Sequence, residues 1–156
     1  MAMKFGIGLF IVLAVVGVAS LLASRQVGHS HDAAGDLALF EQPAAQTLTV
    51  KLADISFAPA ALRAQRNSLV EVALENTGRL DHDFTIKKID VDQALERSGA
   101  APAGHQHVDE YAVHVALGAS QTARLRLHLH APGTYTFFCT VLGHEQAGMR
   151  GTLVVE

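Results

Sequence analysis

Three side chains that bind soft metals stand in one short run, Cys139-Thr-Val-Leu-Gly-His144-Glu-Gln-Ala-Gly-Met149. The single cysteine precedes a histidine by five residues and a methionine by ten. Thiolate and thioether sulfurs hold Cu(I), and imidazole also accepts Cu(II). A blue-copper electron-transfer site needs two histidines and one cysteine near a trigonal plane, with a weak axial methionine. This run supplies three of those four donors, so a distant histidine is still required. Taken singly, a lone Cys is usually a small buried hydrophobe, and a lone Met or His is usually incidental. Here the three share a segment punctuated by Gly143, Gly148 and Gly151, lying between two strand-like runs. Connections between strands are where ligands tend to be mounted.

The elements that must hold these donors are short and alternating. Pro132-Gly133 is a turn signal, and residues 134–140 form a strand with Tyr135, Phe137 and Cys139 on one side. Residues 152–155 form a terminal strand. Upstream, Leu48, Val50 and Leu52 alternate, as do Val70, Val72 and Leu74. Such period-two patterning marks half-buried strands. Asn76-Thr-Gly78 signals a turn. His82, Phe84 and Ile86 then share an inward face. Residues 111–117 and 123–129 are two more strands. In the latter, Leu125, Leu127 and Leu129 face inward, while Arg124, Arg126, His128 and His130 form a solvated face. His114 is ambiguous, since its face carries Ala112 and Ala116. Residues 91–97 predict a short helix, followed by a small-residue loop and by His105 and His107, to which no role is assigned. Several short strands with turns between them imply an all-β antiparallel sandwich or barrel.

The C-terminal two-thirds, about residues 46–156, resembles the cupredoxin family of type 1 blue-copper proteins. The resemblance is carried by Ile55-Ser-Phe-Ala-Pro59, by residues 69–75, by Asp81-His82-Asp-Phe-Thr-Ile86, and most specifically by residues 132–151. It implies a Greek-key β-sandwich and one copper ion. It also implies the ligand set: His82 as the upstream histidine, Cys139, His144, and Met149 as the axial donor. Many family members carry asparagine or serine after the first histidine, tying the two ligand segments together. Here that residue is Asp83, whose carboxylate can accept a backbone N–H from Thr140. It also adds negative charge near copper, which favours Cu(II) and depresses the potential.

The rest of the chain bounds where such a site works. Residues 5–24 contain no charged residue, with Lys4 before them and Arg25 after. Twenty residues of helix span about 30 Å, close to a bilayer's hydrocarbon core. Lys4 favours the amino end in the cytoplasm, which places the remainder on the exported, periplasmic side. An uncleaved single-pass anchor is the expectation. A cleaved signal peptide, leaving a secreted or periplasmic protein, is the rival. Residues 25–45 are then a linker, with an apolar patch at 37–40 and with His29 and His31 as solvated residues. One cysteine cannot pair within the chain, and it cannot build a dinuclear centre that needs two. A formal net charge of −3 describes a soluble acidic surface and no nucleic-acid partner.

These features predict a membrane-tethered electron carrier that cycles between Cu(I) and Cu(II). It would be a monomer that exchanges electrons with a membrane-associated redox donor and acceptor. His144 is the expected exit for the electron, with Val141, Leu142, Ala147 and Gly148 as an apolar docking rim. The alternative is an exported copper-binding module for trafficking or storage. An enzyme is not expected, because no adjacent His-Cys-His cluster and no nucleophile or acid–base constellation is present.

Overall fold

The structure is a computed structural model that describes residues 38–102 and 110–156. After one helical turn at 38–41, the chain forms ten strands. They are β1 (Gln46–Ala53), β2 (Ser56–Ala58), β3 (Ala61–Ala64), β4 (Leu69–Asn76), β5 (His82–Ile86), β6 (Val91–Arg97), β7 (Val113–Leu117), β8 (Thr122–Leu129), β9 (Gly133–Phe138) and β10 (Arg150–Val155). One five-stranded sheet has the order β2-β1-β4-β8-β6, and the other β3-β10-β9-β5-β7. The expected all-β sandwich is therefore present, with two differences in detail. The pairs β1–β4 and β3–β10 are parallel. Parallel neighbours cannot be joined by a tight hairpin, and here the chain runs through β2 and β3 before β4 lies down beside β1.

Alternation builds the core. In β8, Ala123, Leu125, Leu127 and Leu129 are buried between more exposed polar residues. Val70, Val72 and Leu74 of β4 join them, as do Phe84, Ile86, Val115, Leu117, Phe137 and Leu153 from the other sheet. The rings of Phe84 and Phe137 stack at 4.8 Å, and Phe57 meets Phe137 edge-on at 5.1 Å. Strand β5 differs from the half-buried strands, because all five of its residues are buried.

The helix expected at 91–97 is a correction. These residues form β6, an edge strand paired with β8 from Val91↔Leu129 to Arg97↔Ala123. Gln93, Ala94, Leu95, Glu96 and Arg97 are good helix formers. The open edge of β8 offers a ladder of hydrogen bonds, and that tertiary context overrides local propensity.

Residues 38–45 lie along the first sheet. The Arg126 guanidinium donates to the carbonyls of Phe40 and Gln42, and the Ala45 N–H donates to Leu69 at 2.8 Å. The apolar run 5–24 and His29, His31, His105 and His107 lie outside the described residues. Among those described, no helix is long and apolar enough to cross a membrane.

Candidate metal centre

Strand β5 begins with His82, and the turn that delivers it is held from within. Asn76, buried at the end of β4, donates its side-chain amide to the carbonyls of Leu80 (2.8 Å) and Leu117 (3.0 Å). Its own amide oxygen accepts the Gly78 N–H at 3.0 Å. Gly78 is required by close approach. A Cβ there would stand 2.5 Å from Asp54 Oδ1 and 3.0 Å from His82 Nε2. The Asp54 carboxylate, in the turn between β1 and β2, accepts the Arg79 N–H at 2.8 Å. That bond holds its carboxyl below the usual range. Asp54 Oδ1 therefore faces His82 Nε2, at 3.8 Å, as an anion.

The other donors lie between β9 and β10. Cys139 directly follows β9, and residues 141–148 coil in successive turns before Met149 leads into β10. The His144 N–H bonds Val141, and the Met149 N–H bonds His144 at 2.9 Å. The Cys139 N–H donates to the Met149 carbonyl at 3.1 Å, closing the base of the loop. Gly148 takes φ of 101°, a left-handed conformation that suits glycine.

This framework brings three of the four expected donors together. The ligand atoms of His82, Cys139 and His144 all lie within 4.8 Å of one another. Cys139 Sγ is 3.5 Å from His144 Nδ1, and the two imidazole rings are 5.0 Å apart. His82, Cys139 and Met149 are fully buried, and His144 is 8% exposed. Met149 is bound through its backbone to both Cys139 and His144, as above.

The electrostatics of the pocket favour a bound cation. Both ring nitrogens of His82 are buried without a hydrogen-bond partner. Such groups are costly in a fold unless something else satisfies them. Burial, and then the neighbouring His144, push the His82 pKa down, so the ring is neutral and able to ligate. Nε2 is turned toward Asp54 and Gly78, which leaves Nδ1 as the donor. Burial, and then the charge of Asp83, push the Cys139 thiol up to about 11. A metal must therefore displace its proton. An orphaned neutral imidazole, a thiol and a second imidazole form a soft nitrogen–sulfur set that fits copper.

Asp83 takes the Thr140 N–H expected of it, at 2.9 and 3.1 Å, and the Thr140 hydroxyl as well at 2.7 Å. It also accepts the Thr85 hydroxyl at 2.7 Å, and Thr85 Oγ1 lies 2.8 Å from His114 Nδ1. Since the Thr85 proton goes to Asp83, His114 Nδ1 is the donor in the second contact. This chain clamps β5 to the ligand loop and to β7. The Asp83 N–H in turn points at Cys139 Sγ, 3.5 Å away.

Sequence reasoning missed Asp54 and the Thr85–His114 extension. The Thr85 side chain had a signal, because it shares parity with Asp83 on a strand. Asp54 had none, because its approach to His82 is made by a turn distant in sequence. A second cluster, Asp92 with His128 and His130, was also missed. The sequence alone puts its histidines on a solvated face of the strand.

The family model for the cupredoxin-like domain matches residues 11–155. The chain belongs to this family. Among its relatives is the "Copper-resistant cuproprotein CopI" of Rubrivivax gelatinosus, 33% identical over 135 residues. That match covers 82% of this chain and 78% of the relative. Auracyanin-B of Chloroflexus aurantiacus is 28% identical over 136 residues, covering 80% of this chain and 58% of the relative. A solved structure of auracyanin B superposes with a TM-score of 0.55 at 25% identity, covering 74% of this chain and 91% of that one. Copper is the metal of this cupredoxin-like chain.

Proposed function

We propose that the chain is an exported copper-handling protein of the copper-resistance type, in which His82, Cys139 and His144, with Met149, would hold one copper ion. The observation that carries this reading is the buried His82 imidazole, whose ring nitrogens make no hydrogen bond, beside a thiol and a second imidazole. The CopI relatives support it in kind, since the match with one of them spans most of both chains.

Bound copper would supply a one-electron couple, and Cys139 would give up its proton to bind it. The chain's own residues do the rest. Asp54 lies 3.8 Å from His82 Nε2, the place of a carboxylate behind a ligating histidine, which would leave Nδ1 for the metal. Asp83 ties β5 to Thr140, so the upstream histidine and the loop keep their separation. His144 is the most exposed of the four donors, so exchange of metal or of electrons takes place on its side. This is a binding protein rather than an enzyme. Residues 5–24 direct the copper domain to the exported side of the membrane and hold it there.

A second reading, a single-electron carrier, is favoured by the burial and clamping of the donors and by the auracyanin likeness. A rigid site changes little between oxidation states, and Leu142, 96% exposed beside His144, would start an apolar patch for a redox partner. Deleting the gene from its host and challenging with copper separates the two. Lost tolerance that the wild-type chain restores, and Cys139→Ser does not, supports copper handling. Unchanged tolerance with a fall in electron flux through a membrane complex supports the carrier. Fractionation with N-terminal sequencing tests the anchor, and a soluble product beginning near residue 21 or 24 would contradict it.

A further inference from the structure

We propose that Asp92, His128 and His130 form a second metal site, on the outer face of the first sheet, that takes Cu(II). Strands β6 and β8 place Asp92 directly opposite His128. His130 follows two residues later on the same face, because side chains on a strand alternate. The three ligand atoms lie within 4.8 Å of one another. Asp92 Oδ2 is 2.9 Å from His130 Nε2 and 3.7 Å from His128 Nδ1. The two imidazoles meet at 85° with centroids 4.7 Å apart, an edge-on arrangement rather than a stack.

A simple ion pair accounts for only part of this. Asp92 and His130 satisfy each other, but His128 Nδ1 is buried with no hydrogen-bond partner. A cation between the three gives every one of these atoms a partner. The residues are 23–33% exposed, open enough for an ion to arrive and for water to complete its shell. Arg126, two residues before His128 on the same face of β8, is already committed. Its guanidinium bonds the Phe40 and Gln42 carbonyls, and its Nε lies 3.6 Å from Glu71.

The donor set selects the ion. Two imidazoles and a carboxylate suit divalent copper, zinc or nickel, and the Irving–Williams order places Cu(II) above the others. No sulfur is present, so Cu(I) is disfavoured. The site therefore differs in kind from the buried one, which sits on the other sheet and its loop. It holds oxidised copper in an accessible, exchangeable form, whatever the buried site does with its own ion.

The test is a titration of the full chain with Cu(II), followed by electron paramagnetic resonance. The expected result is a second equivalent with the broad hyperfine pattern of tetragonal copper. H128Q combined with H130Q should lose that signal and keep the spectrum of the first equivalent, which also reports that the domain is folded. The quadruple variant H29Q/H31Q/H105Q/H107Q should retain both signals, and loss of the second in it would overturn the site. Binding of only one equivalent, or a second signal that survives H128Q/H130Q, would overturn the site. Displacement by equimolar Zn(II) would overturn its assignment to copper. Failure of the buried site has a different signature, a broad signal with no coloured first equivalent.

Discussion

The two histidine clusters in this domain share ligand types and differ in how the fold treats them. His82, Cys139 and His144 are buried in a pocket whose walls are braced by Asp54, Asn76, Asp83 and Gly78. Asp92, His128 and His130 lie half-open on adjacent strands and are braced chiefly by strand pairing. Burial leaves the first site's donors with no water to fall back on, so a metal is worth more there. It also makes the sulfur hold its proton in the metal-free chain. Preorganisation and desolvation would separate a resident metal from an exchangeable one, with the same imidazole serving either purpose.

The comparison breaks most sharply at the sulfur. Cys139→Ser should abolish the visible charge-transfer colour of the copper-loaded chain, because serine offers no soft thiolate. H128Q/H130Q should leave that colour unchanged. An absorption titration of both variants checks this, and a band that survives in C139S would remove Cys139 from the site.

The brace behind His82 comes next. Asp54→Ala should weaken copper binding at the buried site by about 10- to 100-fold, as loss of a carboxylate behind a ligating histidine does. The surface site should be unaffected. Competition with a copper chelator measures the difference, and equal affinity in wild type and variant would deny Asp54 a positioning role.

Asp83→Asn should raise the reduction potential by roughly 60 mV, a tenfold shift in the Cu(I)/Cu(II) balance. The negative charge that helps hold the proton on Cys139 also favours Cu(II) over Cu(I). The amide keeps a hydrogen-bond acceptor for Thr140, so the fold should survive. Voltammetry giving a lower potential would contradict this electrostatic account.

The smallest effect is on the metal-free fold. The His82 pKa is lowered, so below its ordinary value of 6.5 the unfolded chain binds more protons and stability is lost as pH falls. The Cys139 pKa is raised from 9.0 to about 11, so between those values the folded chain holds the extra proton and stability falls as pH rises. Thermal melts of the apo chain should show a plateau between, about pH 6.5 to 9 by this linkage. In His82→Gln the acid-side fall should shrink, and an unchanged profile would show that His82 does not report on folding.

The sandwich was legible because Val70, Val72 and Leu74, or Leu125, Leu127 and Leu129, carry a period of two that only a strand exploits. The helix expected at 91–97 failed because that segment is an edge strand. Leu95 is 37% exposed, so the sequence pattern held only propensity. The ligand loop was legible because Cys139, His144 and Met149 are close in sequence. Asp54 and Asn76 were not, because their roles arise where β2, β4 and β5 converge, and no local pattern encodes that meeting. His128 and His130 were visible as outward residues. What they lacked in sequence was Asp92, which β6 supplies only once it is known to be a strand.

X-ray absorption at the copper edge, on the full chain loaded with a single equivalent of Cu(II), tests the central claim most directly. Copper held by Cys139, His82 and His144 should show one short thiolate sulfur and two imidazole nitrogens around the metal. A first shell made only of nitrogen and oxygen would contradict it, and would place the resident copper somewhere other than His82, Cys139 and His144.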